Sequence, residues 1–517
     1  MQTLNWDDRF VRDLPGESEL RPGSRQVLHA AWSTASATPI ANPKLLAWSP
    51  SVAALIGLRD APPAQAAEVF SGNKTVAGMR PYASCYGGHQ FGSWAGQLGD
   101  GRAITLGEVV HDGVHWELQL KGAGPTPYSR GADGRAVMRS SIREYLCSEA
   151  MHHLGVPTTR ALSLVGTSDR IERDMFYDGR PAMEPGAVVC RAAQSFLRFG
   201  SYQIHSARRD ERMLSALIEH TISAHFPHLG PMSTDTVLAW LHEVARSTAH
   251  MVSEWMRVGF VHGVMNTDNM SILGLTMDYG PYGWMDAFDP HWTPNTSDAA
   301  GKRYRYIAQP QVAGWNLARL AEATYPIVQD VPALEAVLET YAQAFTHANS
   351  KMISNKLGFI RPDPNDTAMY DELLDLMTLA ETDMTLCFRA LTDVPESEDP
   401  LTPLLPSFYD VYDVQKTTRD AWRSWLTRYR ARLSADGTPH DVRRARMHAA
   451  NPKYVLRNYL AQEAIELAEA GDLSRVHELQ QLLLRPYDEQ PTMLHAAQRR
   501  PDWARDKPGC SELSCSS

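Results

Sequence analysis

The stretch His262-Gly263-Val264-Met265-Asn266-Thr267-Asp268-Asn269, followed by Asp278-Tyr279-Gly280, constrains this chain more than any other. Asn269 and Asp278 both offer side-chain oxygen, the donor type that suits Mg²⁺ shared with waters and phosphates. For both to serve one ion, two loops must lie side by side, and residues 270–273, Met-Ser-Ile-Leu, are expected as a short strand between them. The composition of Asn266-Thr267-Asp268-Asn269 is also that of an Asx-rich turn, so these residues alone leave a purely structural reading open.

The spacing is that of a protein-kinase catalytic loop and metal motif, in which an Asn and a later Asp hold the metal. His262 and Asn269 keep that frame, yet the position of the usual base is Val264. Asp268 is the nearby carboxylate able to accept a hydroxyl proton, or else a turn residue. Upstream, the segment from Tyr86 is rich in glycine, and Gly99-Asp100-Gly101-Arg102 ends it with a turn whose missing Cβ atoms would admit a phosphate. Strand-like runs at 102–110 and 114–121 flank His111-Asp112-Gly113, a hairpin signal. In the second run Val114, Trp116, Leu118 and Leu120 alternate with His115, Glu117, Gln119 and Lys121, which puts Lys121 on the polar face.

A helix is expected over 138–154, with Glu144 off its apolar stripe. An ammonium on a strand and a carboxylate on the next helix suit phosphate neutralisation, the carboxylate holding the lysine in place. Arg191 and Arg198 are a candidate guanidinium clamp for a polyphosphate. Helices are further expected over 45–58, 211–224 and 234–258, with strands at 161–165 and 187–192. The fold class that follows is α+β, a protein-kinase-like two-lobed fold. Its divisions are an N-terminal extension (1–80), a small lobe (81–185), a large lobe (186–394) and a helical C-terminal region with a Cys-containing tail (395–517), entered through the Pro- and acid-rich linker 395–400.

Composition narrows the partners. A formal net charge of −10 over 517 residues gives no electrostatic reason to bind nucleic acid or anionic membrane. With no secretory leader pattern and no long apolar run, a soluble, cytoplasmic protein is expected. Six cysteines are too few for a disulfide framework and lack paired zinc-site spacing. Cys85, Cys147, Cys190 and Cys387 are expected to be buried, whereas Cys510 and Cys515 lie in a Ser-rich tail and are either redox-active thiols or an exposed, inert end.

These motifs, together with Tyr86-Gly87-Gly88-His89-Gln90-Phe91-Gly92, Leu120-Lys121-Gly122-Ala123-Gly124-Pro125-Thr126-Pro127-Tyr128-Ser129-Arg130 and Asn451-Pro452-Lys453-Tyr454-Val455-Leu456-Arg457-Asn458-Tyr459, resemble the selenoprotein O family along nearly the whole chain. The resemblance implies a kinase-like fold whose ATP lies reversed, and transfer of AMP from ATP to Ser, Thr or Tyr hydroxyls of proteins, with UTP a further candidate donor. It also implies that Gly99, Gly101, Arg102, Lys121, Asp133, Gly134, Arg191, Arg198 and Asp278 bind the nucleotide. Glu144 would position Lys121, Asn269 and Asp278 would hold Mg²⁺ or Mn²⁺, and Asp268 would accept the proton. Some relatives carry selenocysteine where this chain has Cys515. The rival readings are a kinase moving the γ-phosphate, a nucleotide-binding pseudokinase scaffold, and a thiol oxidoreductase centred on Cys510 and Cys515.

Overall fold

The computed structural model describes residues 4–21, 23–59 and 61–514. Its organising element is a nine-stranded sheet in the order Gly16–Glu17, Trp32–Thr34, Tyr82–Ser84, Ala103–His111, Val114–Lys121, Ala182–Ala193, Arg160–Arg173 and Lys44–Trp48, with Trp6–Asp7 paired to Ala103–His111. The expected hairpin forms at the centre, because Asp112 (φ 50°) and Gly113 (φ 76°) both adopt the left-handed conformation of the tight turn. The register sets the chemistry: Gln119 faces Arg191 directly, and Lys121 faces Val189. With a period of two, Gln119, Lys121 and Arg191 therefore share one face of the sheet.

Two differences from expectation lie before residue 80. Residues 45–58 form the strand Lys44–Trp48 and then the short helix Pro50–Leu55, rather than one helix. The free edge of Arg160–Arg173 recruits 44–48 into the sheet, while Ser49 caps and Pro50 starts the helix. The first eighty residues are also not peripheral to the sheet, since four of its strands come from them.

Helix Met138–His153 is buried on nearly every side, including its charged residues. Three of its four buried charges are ion-paired: Arg139 with Glu184 (2.9 Å), Glu149 with Arg160 (2.7 Å), and Glu144 with Lys121 and Arg191. Arg143 donates to the Tyr282 carbonyl (2.6 Å) and lies 4.2 Å from that tyrosine's ring centre. Burial of ions without such partners would cost several kcal/mol each. Below the sheet, Glu211–His225 and Thr234–Val258 form close to where they are expected, the second opened by a Ser233–Thr236 capping box and closed by left-handed Gly259 (φ 72°).

The short antiparallel ladder Phe260–Val261 with Gly283–Trp284 brackets the loop pair that holds Asn269 and Asp278. The expected strand at 270–273 is absent: Ser271 makes a single bridge with Arg198 and then turns, Gly274 N–H donating to the Ser271 carbonyl (3.2 Å). Met270 and Leu197 each receive only one further backbone bond across this crossing, too few for a ladder.

Helices from Gln309 onward complete the large lobe and the C-terminal region. The 395–400 segment is pinned rather than free, for Val394 and Leu401 are buried on either side of it and Arg430 donates to the Val394 and Ser397 carbonyls. Cys510 also departs from expectation, being buried against the large lobe, with its thiol pushed up to about 11 by burial. Cys515 lies outside the described residues. Cys85, Cys147, Cys190 and Cys387 are buried, as expected. No helix among the described residues is long and apolar enough to cross a membrane.

Two predictions test this packing. Arg457, fully buried, bridges Asp286 (2.7 Å) and Asp383 (2.8 Å), tying the C-terminal region to the segment after Asp278. Arg457→Ala leaves two buried carboxylates unpaired and should lower the unfolding free energy in urea by about 3–5 kcal/mol. Burial, then the facing Glu108, pushes Glu117 up to about 8. A carboxyl whose folded pKa exceeds its unfolded one withdraws stability as pH rises from the ordinary carboxylate range to that value. Glu117→Gln should therefore flatten the fall in melting temperature over that interval, and an unchanged slope would refute the assignment.

Candidate functional site

Where the central strands meet the loops after Phe260, a cleft of about 600 Å³ opens. Gly99, Gly101, Arg102, Lys121, Asp133, Gly134, Arg191, Asp268, Asn269 and Asp278 all line it. Glu144 and Arg198 do not line it; both stand behind the lining, in contact with the residues that do.

The deepest part is a buried charge cluster. Asp278 Oδ1 accepts from Arg191 (2.6 Å) and lies 3.5 Å from Lys121 Nζ, while its Oδ2 accepts from Arg198. Glu144 closes the cluster from the helix side, bonding both Lys121 and Arg191 (2.8 Å). Gln119 orients the second Arg191 nitrogen from the facing strand. Arg198 donates in addition to the Asp268 carbonyl (2.7 Å) and stacks 4.4 Å from the Tyr86 ring centre. Burial alone would raise the Asp278 carboxyl, but Arg198, Arg191 and Lys121 overcome it and hold the group well below the usual carboxylate range. Lys121 moves the other way, lowered by desolvation although Glu144 and Asp278 oppose the shift.

His262, buried beneath the cluster, donates through Nε2 to the Met277 carbonyl (3.0 Å) and is pushed down to about 4 by burial. It is thus a neutral brace for the Asp278 loop. Asp278 itself sits at φ +57°, a left-handed conformation that Asp and Asn tolerate better than most residues. Val264 lines the cleft where the kinase pattern has its base.

Asp268 is the contrasting carboxylate. Burial pushes it up to about 6, with a hydrogen bond from Gln90 Nε2 to Oδ2 (3.2 Å) opposing the shift. Its Oδ1 is buried and has no hydrogen-bond partner. Asn269 donates its amide to the Val264 carbonyl (2.8 Å), which leaves its side-chain oxygen as the free donor. These hard oxygens fit Mg²⁺ or Mn²⁺. Among the described residues no group of three or more His, Cys, Asp or Glu could hold an ion, so one bound here would share Asn269 and Asp278 with ligand oxygens.

Several lining residues escaped the reading of the sequence. Arg130, Arg135 and Arg173 join Arg102 at the rim and make it cationic, with Asp133 tied to Arg173 (2.6 Å). A signal for two of them existed, since Arg130 and Arg135 flank the Gly-rich loop ending at Gly134. Gly99 has a further reason to be glycine: at φ +78°, a Cβ there would lie 2.3 Å from the Tyr128 ring. The hairpin Gly87–Gln90 and Ser93–Gln97 packs onto the catalytic-loop segment through His89 N–H to Thr267 Oγ1 (2.7 Å) and Phe91 N–H to Asn266 Oδ1 (3.2 Å).

Residues 18–484 match the family model described as protein adenylyltransferase SelO. The chain is 55% identical to the protein nucleotidyltransferase YdiU of Aromatoleum aromaticum and 56% identical to that of Azoarcus sp., in each case over 100% of both chains. Against the protein of the same name from Rhodopirellula baltica it is 53% identical over 99% of each.

The hairpin supplies a direct test. A Cβ on Gly88 would fall 2.6 Å from Asp268 Oδ1, so Gly88→Ala must displace that carboxylate. The substitution should lower turnover by at least about 100-fold, the lower end of what a positioned acid–base group contributes, while the melting temperature changes by only a few degrees. Parent-like turnover would show that Asp268 is not needed at its observed position.

Proposed function

The chain belongs to the SelO family of protein adenylyltransferases, and on that premise we propose how its cleft transfers a nucleotide. The chain is an enzyme, a protein nucleotidyltransferase with an α+β, kinase-like fold. ATP is the donor, AMP is moved, and pyrophosphate leaves. The proposed acceptors are Ser, Thr and Tyr hydroxyls of proteins.

The observation that carries this reading is the separation of charge across the cleft. Cations crowd its inner and sheet-side wall, where Lys121 and Arg191 are fixed by Glu144 and where Arg102 and Arg130 form the rim. Asp268, with its raised pKa and unpartnered oxygen, stands apart beside Asn269. A triphosphate whose outer phosphates lie among the cations would present its innermost phosphorus toward Asp268. The Asp268 carboxylate then takes the proton of the acceptor hydroxyl as the hydroxyl oxygen attacks the α-phosphorus, and the bond to the β-phosphate oxygen breaks.

Lys121 and Arg191 neutralise the departing pyrophosphate; Arg198 acts through Asp278 and the Asp268 carbonyl. Gly99, Gly101, Asp133 and Gly134 shape the phosphate end of the cleft. Asn269 and Asp278 would hold Mg²⁺ or Mn²⁺, which when bound neutralises charge on the phosphate oxygens.

Incubation with ATP labelled at the α or at the γ position, followed by intact-mass analysis, tests the reading. Label is expected on protein from the α position alone. Label from γ alone would replace this reading by phosphoryl transfer. Asp278→Asn, which keeps the left-handed turn, should reduce transfer by at least about 1,000-fold, and parent-like transfer by this variant would sink the assignment.

A further inference from the structure

Beside the nucleotide cleft, the loop ahead of helix Gln309–Val328 and the first turns of that helix form a separate concavity of about 290 Å³. Arg303, Arg305 and Trp315 dominate its lining. Arg303 lies 4.6 Å from the Trp315 ring centre and 5.8 Å from that of Tyr304, with its Nε buried and unpartnered. Arg305 donates to the Lys302 carbonyl (2.9 Å). Among the described residues neither guanidinium has a carboxylate in ion-pair contact. A neighbouring acid, Asp298, is buried and turned to the backbone N–H groups of Arg303 (2.9 Å) and Tyr304 (2.7 Å). In a chain of net charge −10, this is a local cationic surface, with two guanidinium groups against the one Asp298 carboxylate that acts on both.

Exposed apolar side chains stand near it. Phe91 (42% exposed), which also lines the nucleotide cleft, has its ring centre 5.4 Å from that of Tyr304; Trp94 (40%) is on the same hairpin, Gly87–Gln97, and Ile307 (53%) lies between the lining residues Arg305 and Ala308 in the chain. The hairpin is joined to the catalytic loop, because Phe91 N–H donates to Tyr304 Oη (2.9 Å) and Tyr304 Oη donates to Asn266 Oδ1 (2.6 Å). On the same hairpin, Gln90 holds Asp268.

We propose that this concavity docks an acidic segment of the protein substrate, its carboxylates on Arg303 and Arg305 and an apolar residue against Phe91, Trp94 and Ile307, so that the neighbouring hydroxyl reaches Asp268. The inference rests on the protein-nucleotidyltransferase reading above and names its substrate class. Arg303, stacked on Trp315, presents a guanidinium fork suited to bidentate carboxylate binding, and Arg305 lines the same concavity. Apart from the cationic rim of the nucleotide cleft, a chain of net charge −10 offers such a segment little long-range attraction, which favours this surface.

The test uses three fluorescent peptides sharing one tyrosine acceptor, flanked by Glu, Gln or Lys, on the full-length protein. Anisotropy reads docking without chemistry, and α-labelled ATP reads transfer. The Glu peptide is expected to bind roughly tenfold tighter than the Gln peptide, the scale of a charge-assisted hydrogen bond, and to lose that margin as salt rises. Arg305→Glu, and the pair Arg303→Glu with Arg305→Glu, should reverse the preference toward the Lys peptide without changing the KM for ATP. Arg305→Glu alone keeps the test valid if the pair does not fold.

Equal binding of all three peptides, or an unaltered preference in the folded Arg305→Glu protein, overturns the proposal. Charge-dependent binding and its reversal without any α-label transfer would uphold the docking surface while removing the transfer reading.

Discussion

One carboxylate, Asp278, is shared by three buried cations, and the architecture around the cleft follows from that arrangement. Arg191 comes from a central strand, Lys121 from the strand beside it, Arg198 from the start of a large-lobe helix and Asp278 from a loop beyond the next helices. Largely desolvated, such ions are tolerable only when their mutual geometry is held firmly. The sheet register, the buried Glu144 helix and the neutral His262 brace all serve that end. The cluster therefore joins elements that are far apart in the chain, and it does so at the place where a phosphate ligand would exchange one anion for another.

Two aspartates close in sequence end up with opposite electrostatic characters. Asp278 is kept ionised by the arginines, whereas Asp268, the more buried of the two, has its side chain turned away from them toward Gln90 and is raised to about 6. Environments that push two carboxylates apart in this way separate a charge-binding role from a proton-accepting one. The difference comes from a few ångströms of side-chain placement, since Arg198 touches Asp278 through its carboxylate and Asp268 only through its backbone carbonyl.

Much of the site was legible because its chemistry is carried by order along the chain. Lys121 on an alternating strand, Glu144 on the next helix, and Asn269 and Asp278 around a short crossing all line or support one cleft. What stayed hidden depended on partners remote in sequence. Residues 45–58 have helical patterning but lie against an open sheet edge, and edge pairing outweighed local preference for the first half. Residues 270–273 are apolar enough for a strand but find only a single bridge. Cys510 sits in a polar tail, yet the tail folds back: Leu513 N–H donates to the Pro294 carbonyl (2.8 Å), and the thiol is covered.

By itself the sequence determined the kinase-like order of elements, the family, and the identities of the cation, carboxylate and amide groups that meet at the cleft, because periodicity and motif spacing are local properties of the chain. Only the tertiary structure decided which of these groups face the ligand and which stand behind. It put Arg198 beneath Asp278, brought Arg130, Arg135 and Arg173 to the rim, and laid the Gly87–Gln97 hairpin on Asp268. Those outcomes depend on long-range packing and on desolvation, and neither is written in the spacing of residues along a strand or helix.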